Sequence, residues 1–285
     1  MLRDRVVGAV TRLVGRDRLA LARRVLDRFG AADGGLLAAG VAYNAVLALI
    51  PIGLLATALA GLLLNDRASR ADLIEAIGAF LPPLAGVIDD IVAGLSKASP
   101  SLSVVGLVLA AWGTSRLFAA LESAIAQMDA GAPRRSLVRR TARRLGSIVV
   151  LATIVLAAVV AAPTLAIAVE MSDGGPARPV LDALLAILPP VLAAVALAAV
   201  FRVVPLTRPG WRAIGLPAVV GAVVLVVLTR VFVFAAPRIF GANLVYGTLG
   251  ALLVGLAWLD LAFTVVLLGA AWVRERTASA EAVVV

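Results

Sequence analysis

Residues 34–65 read GGLLAAGVAYNAVLALIPIGLLATALAGLLLN and contain no charged side chain. A helix needs about 20 mostly apolar residues to cross the hydrocarbon core of a bilayer, so this run is long enough for one crossing. Pro51 lies inside the run and removes one backbone hydrogen bond, which predicts a kink there. Because the run is too long for the core of a cleaved signal peptide, we interpret it as a retained membrane span.

The composition of the whole chain agrees with a membrane location. Of its 285 residues, 62% are hydrophobic and 15% are charged, and the mean hydropathy is +1.05. Soluble domains are typically about 45–50% apolar and about 25% charged. The chain therefore has too little polar surface to cover one soluble core, and we predict an integral membrane protein.

Six apolar stretches are long enough to span a bilayer, and no strand pattern separates them. We predict an all-α integral membrane protein, a six-helix transmembrane bundle, in three parts. These parts are a basic cytoplasmic N-terminal segment (1–33), a six-span domain (34–273) and a cytoplasmic tail (274–285). The predicted spans are about 35–64, 101–124, 146–169, 181–201, 213–236 and 242–273.

The segment 66–100, between the first two spans, is interrupted by charges and by Pro82-Pro83. Its apolar residues recur at helical spacing on either side of the prolines, which predicts two short amphipathic helices. We interpret these helices as a cap over the outer face of the bundle. A substrate gate is the alternative.

Basic residues are distributed unevenly between the two sides of the predicted spans. Nineteen of the 26 lie in the N-terminal segment, the second-to-third loop, the fourth-to-fifth loop and the tail, whereas five lie in the opposite loops. Cytoplasmic loops carry an excess of Lys and Arg. We therefore predict that both termini are cytoplasmic, which requires an even number of spans.

Two charged residues, Arg116 and Asp260, interrupt predicted spans at similar depths. A charge inside a membrane is costly unless it is paired or hydrated. One hypothesis is that the two side chains form an ion pair inside the bundle. The alternative is that Arg116 extends toward the cytoplasmic headgroups while Asp260 faces water or a neutral partner.

Further polar and small residues mark candidate contacts within the spans. Tyr43 and Asn44 need polar partners inside the membrane, which makes them candidates for a pore or pocket, with interhelical hydrogen bonding as the alternative. Small residues at four-residue spacing favour close helix packing. We interpret these as packing seams, with a homo-oligomer interface as the alternative; they include Gly53, Gly61, Gly106, Gly247 and Gly255.

The residue inventory excludes several classes of site. Histidine and cysteine are both absent, which removes the commonest metal ligands and thiol nucleophiles. No phosphate-binding loop and no serine-hydrolase elbow occurs, so we predict no catalytic residue, no cofactor, no metal site and no enzymatic activity. Topology and anionic lipid headgroups explain the excess arginine, and no stacking aromatics accompany it, so we predict lipid partners and no nucleic acid.

Several motifs resemble one bacterial family. Residues 42–51 (AYNAVLALIP), 112–116 (WGTSR), 201–205 (FRVVP) and 246–249 (YGTL) are similar, in order and spacing, to the YihY/BrkB family of inner-membrane proteins. The chain departs from the family pattern at Asp260, where an aromatic residue is usual. The resemblance implies six helices in the bacterial inner membrane. Family members have been labelled virulence factors and also a ribonuclease, a label that this residue inventory does not support.

These observations are compatible with two functions. The polar groups within the spans and the proline-interrupted first span favour a transporter or translocation factor for a lipid or an anionic solute. The alternative is a non-transporting envelope protein that organises partners or anionic lipids through its arginine-rich loops. A membrane hydrolase would need a cluster of carboxylates that the sequence does not contain.

Overall fold

A computed structural model of the chain describes residues 16–63, 102–129, 178–205, 209–240 and 247–284. All regular structure within these ranges is α-helical, which confirms the predicted all-α class. The helices are α1 (Arg16–Ala31), α2 (Gly34–Leu63), α3 (Leu102–Met128), α4 (Arg178–Val203), α5 (Trp211–Phe240) and α6 (Gly247–Val284). The predicted third span, 146–169, and the outer amphipathic segment, 66–100, lie outside the described residues.

Three of the described helices are long and apolar enough to cross a membrane: Arg178–Val203, Trp211–Ala235 and Leu252–Ser279. A fourth is added if α1 and the first half of α2 are taken as one broken span. These helices occupy the positions of the predicted fourth, fifth and sixth spans. The full six-span arrangement stays a prediction.

The turn between α1 and α2 bends the chain by 64°. Asp33 adopts a left-handed backbone conformation there, with a φ of 51°, and its amide donates to the carbonyl of Gly30 over 3.0 Å. A Cβ atom at Gly34 would lie 2.4 Å from the ring of Phe29, so only glycine lets this ring fold back onto the start of α2.

Most of the described core lies at one end of the bundle, which we call the charged end because ion pairs flank it. The core side chains there come from all six helices, and α6 packs against each of the other five. The core includes Val25, Val41, Ile125, Phe201, Ile214 and Leu267. Phe201 of α4 is almost fully buried against Gly269 of α6, where a Cβ atom would lie 2.5 Å from the ring.

The described helices run in two directions relative to the charged end. The last residues of α3 and α4 contribute to its core, and so do the first residues of α5 and the first half of α2. Helix α6 contributes Leu267, Ala271 and Val273, so it also runs toward this end. The carboxyl ends of α3, α4 and α6 therefore meet the amino ends of α2 and α5.

A second, smaller cluster lies farther from the charged end. Ala42 and Ala45 of α2 pack with Trp258 and Leu259 of α6. The indole of Trp258 donates a hydrogen bond over 3.2 Å to the hydroxyl of Thr229 in α5. This cluster joins α2, α5 and α6 at the level of the predicted intramembrane polar residues.

Long apolar side chains are exposed along the outer faces of α4 and α5. In a soluble protein, a continuous apolar surface of this extent is unusual. The exposed side chains include Val180, Leu184, Ile187, Val191, Val195, Val219, Val223, Val227, Val231 and Phe234. Surfaces of this composition are stable in contact with lipid, as expected for a membrane protein.

Candidate functional site

The structure brings Asn44 of α2 and Arg116 of α3 together. The amide nitrogen of Asn44 donates to the carbonyl of Gly40 over 2.7 Å, one helical turn earlier. This bond orients the amide so that its oxygen accepts a hydrogen bond from Arg116 Nε over 3.4 Å. The predicted need of Asn44 for a polar partner is met by its own helix and by α3.

The guanidinium of Arg116 also lies over the ring of Trp112, 5.1 Å from the ring centroid. Trp112 precedes it by one helical turn, so the two side chains share one face of α3. An aromatic face attracts a cation but does not neutralise its charge. Among the described residues, no carboxylate lies within ion-pairing distance of Arg116.

Asp260 is not the partner of Arg116. Its Oδ1 atom is buried in α6 and has no hydrogen-bond partner. The two residues still lie at similar levels, since Arg116 precedes Asp129 by about 20 Å of helix and Asp260 precedes Glu275 by about 22 Å. A similar level along the bundle is therefore not sufficient for these two residues to pair.

The other predicted residues are distributed along the helices. Tyr43 is 57% exposed on α2 and shares no hydrogen bond with Arg116 or Asn44 in the described part of the chain. Gly255 is buried in α6. Packing at Pro51, Gly53, Gly61, Gly106 and Gly247 lies outside the described side chains, although each belongs to a helix.

The charged end holds a group of ion pairs that the sequence pattern did not indicate. The carboxylate of Glu275 in α6 accepts a hydrogen bond from Arg28 Nε over 2.7 Å and lies 3.5 Å from Arg24. Arg28 also donates to the carbonyl of Met128 over 3.2 Å. One arginine of α1 therefore ties α1 to the ends of both α3 and α6.

A second ion pair lies beside the first. Asp129, 4% exposed, follows α3 and lies 3.1 Å from Arg274 Nε. The N–H bond of Nε does not point at this oxygen, so the contact is an ion pair rather than a hydrogen bond. Both acids buried at this end, Asp129 and Glu275, thus have arginine partners from another helix.

A small cavity adjoins the Asp129–Arg274 pair. Its volume is about 20 Å³, which is room for a single water molecule. Its walls come from α3, the α4–α5 connection and α6: Ile125, Met128, Phe201, Pro205, Pro209, Ala270, Val273 and Thr277. A cavity of this size does not admit a solute larger than water.

The described groups around Arg116 have the chemistry of anion recognition. In the described ranges, no three acidic side chains come close enough to hold a metal ion. The guanidinium of Arg116 has donors on its terminal nitrogens that no described residue accepts, and such a fork matches the oxygens of a phosphate or carboxylate. Sequence reasoning had indicated Asn44 and Arg116, but it did not single out the stacking role of Trp112.

Comparison with protein families supports the resemblance seen in the motifs. The sequence model of the family described as Virulence factor BrkB matches residues 25–283, nearly the whole chain. The chain belongs to the BrkB virulence-factor family. No curated protein and no solved structure matches it. Membership of the family does not by itself name a reaction or a substrate for this chain.

Proposed function

We propose that this chain is a multi-pass protein of the bacterial inner membrane that moves a lipid or another anionic solute across the bilayer. It has six spans and cytoplasmic ends, and it works as a transporter or translocation factor without enzymatic activity. The observation that carries this proposal is Arg116 at the centre of α3, whose partners among the described residues are the neutral Asn44 and Trp112.

The contacts at the charged end support the proposed topology. Arg28, just before α2, hydrogen-bonds to Glu275 near the end of α6, which supports the proposal that the two ends of the membrane domain lie on the same side. An even number of crossings is needed for that. Helix α4 also begins at the end of the bundle opposite to that at which α3 ends, as the six-span arrangement requires.

The cost of burying a charge explains why Arg116 points to an anionic substrate. An arginine at the centre of a membrane helix costs about 3 kcal/mol on insertion scales. A neutral amide and an aromatic ring offset only part of that cost. A bound anion offsets more of that cost. The resulting gain in free energy favours entry of an anionic substrate into the membrane domain.

Asp260 supplies a second charged group at the same level. Ionisable residues within spans commonly mark substrate or ion pathways. Its buried Oδ1 atom has no hydrogen-bond partner and is a further acceptor at this level. Together the two residues give the membrane domain one site for negative charge and one for positive charge.

A reconstituted assay tests the proposal. Proteoliposomes with wild type, Arg116→Gln or Asp260→Asn are compared for scrambling of fluorescent lipids and for flux of anionic solutes. The matched control is Arg238→Gln, because Arg238 also stacks on an aromatic ring one turn away, that of Phe234, but lies near the end of α5. We expect scrambling or anion flux with wild type and Arg238→Gln. With Arg116→Gln the rate should fall at least tenfold, because one charged hydrogen bond to the substrate is lost. Background rates for all four chains would contradict the proposal.

The second candidate is a non-transporting envelope scaffold. It is favoured by the charged end, where buried acids are paired and the cavity holds only one water molecule. A closed, compensated end provides a rigid platform for partners or for anionic lipids. This function predicts background flux together with specific crosslinks from the arginine-rich end to other membrane proteins.

A further inference from the structure

The α2–α3 pair combines a cation with exposed apolar side chains. On α3, Val108, Trp112 and Arg116 follow one another at four-residue spacing, and the first two are 62% and 53% exposed. On α2, Leu36 and Tyr43 are also exposed. The charge of Arg116 is therefore presented on the outside of the described bundle, within a surface suited to acyl chains.

Neighbouring groups hold the Arg116 guanidinium in place. Its Nε atom donates to the oxygen of Asn44, which is itself fixed by the carbonyl of Gly40. The ring of Trp112 supports one side of the guanidinium plane. The two terminal nitrogens remain as donors without partners among the described residues, and little conformational freedom is lost when they bind an anion.

We infer that Arg116 binds the phosphate of a phospholipid that approaches from the bilayer, with Trp112 and Val108 against its acyl chains. This inference rests on the proposed function and names its substrate class. Arginine and phosphate form paired, charge-assisted hydrogen bonds, so the phosphate oxygens would accept from the terminal donors that have no partner among the described residues. The exposed apolar row accounts for the lipid, because a small soluble anion gains nothing from contact with it.

Trp112 provides a built-in reporter of this binding. In a chain with Trp211→Phe, Trp258→Phe and Trp272→Phe, it is the one remaining tryptophan. Nanodiscs of phosphatidylcholine are doped with brominated phosphatidylglycerol or with brominated diacylglycerol of the same chains, which lacks only the phosphate headgroup. We expect the phospholipid to be enriched roughly tenfold over diacylglycerol at Trp112, because one charged hydrogen bond strengthens binding by about that factor.

Variants of Arg116 and a soluble competitor distinguish phospholipid binding by Arg116 from binding of a soluble anion. Arg116→Gln should abolish the enrichment, Arg116→Lys should retain part of it, and Arg238→Gln should leave it unchanged. Equal quenching by the two brominated lipids with arginine present would overturn the inference. Loss of the enrichment on addition of millimolar inorganic phosphate would also overturn it, because the site would then take a soluble anion.

A second measurement does not depend on the tryptophan substitutions. Native mass spectrometry of the chain with its natural tryptophans should show one retained phospholipid fewer for Arg116→Gln than for wild type or Arg238→Gln. Equal numbers would overturn the inference. Phospholipid binding with neither scrambling nor anion flux would contradict the proposed transport and leave this site standing, whereas flux of a soluble anion without phospholipid binding would do the reverse.

Discussion

The charged end and the Arg116 level of the bundle use the same kinds of residue in opposite ways. At the charged end, the carboxylates of Asp129 and Glu275 are buried, and each lies against an arginine from another helix. About 20 Å along the helices, Arg116 contacts neutral groups within the described part of the chain, and Asp260 has a buried oxygen without a hydrogen-bond partner. In the first region each buried acidic side chain has an oppositely charged partner. In the second region, the charged side chains have no such partner among the described residues.

This difference separates stability from function. A paired charge is costly to disrupt and has no binding capacity left, so the charged end holds α1, α3 and α6 together. An unpaired charge costs stability in the free protein and is retained where a ligand completes it. Substitutions that neutralise one acid in each region should therefore change stability in opposite directions.

The largest expected effect is at Glu275. Glu275→Gln removes the negative charge that Arg28 and Arg24 share, and we expect the free energy of unfolding to fall by about 3 kcal/mol. Unfolding in mixed detergent micelles, followed by circular dichroism, measures this. Limited trypsin digestion should also cut the arginine-rich helix α1 faster. An unchanged unfolding curve would show that the ion pairs do not hold the charged end together.

The next largest effect on stability is expected at Gly269, where α6 packs against Phe201. Gly269→Ala places a methyl group where the Phe201 ring lies, and we expect a loss of about 2 kcal/mol from overpacking. Adding Phe201→Leu in the same chain should recover at least half of that loss, as the same unfolding measurement will show. If the second substitution adds to the loss, the contact is not the cause.

Asp260→Asn should have the opposite sign to Glu275→Gln. Because Asp260 Oδ1 is buried without a partner, replacing the carboxylate by a neutral amide should raise the free energy of unfolding by about 1 kcal/mol. Micelle unfolding of both variants, side by side, gives the comparison directly. A loss of stability at Asp260 equal to that at Glu275 would abolish the distinction between the two regions.

The smallest effect compares two tryptophans of α6. Trp258 donates to Thr229, whereas Trp272 Nε1 is buried without a partner. Both substitutions to Phe remove similar volume, so the hydrogen bond is the difference between them. Trp258→Phe should be less stable than Trp272→Phe by about 0.6 kcal/mol, the mean for such bonds in membrane proteins. A reversed order in melting temperature would contradict this assignment.

Hydropathy and residue chemistry alone predicted much of the helical framework and two members of the site. Apolar runs place α2, α3, α4, α5 and α6, because span length and charge exclusion are local properties. Asn44 and Arg116 were indicated because any polar group is conspicuous in such a run. Arg116 and Asp260 make no ion pair with each other in the structure, and their common depth in the membrane stays a prediction; depth alone does not fix rotation about the helix axis.

The charged end could not be predicted in the same way. Asp129 and Glu275 lie next to arginine-rich stretches, where a single acid gives no periodic signal. Their partners are distant in sequence, and spacing carries no information about such contacts. Arg28 and Arg274 were counted as cytoplasmic arginines that meet lipid headgroups, whereas the structure shows each of them bound to an acid of another helix.

The bond between Arg28 and Glu275 joins residues that are 247 positions apart. A ribosome that adds about 5–20 residues per second needs about 12 to 50 s to make the chain between them. Helix α1 is therefore synthesised early but receives its carboxylate only when translation of the membrane domain is nearly complete. Until then its arginines need another anionic surface, and the order of synthesis makes the attachment of α1 a late step in assembly.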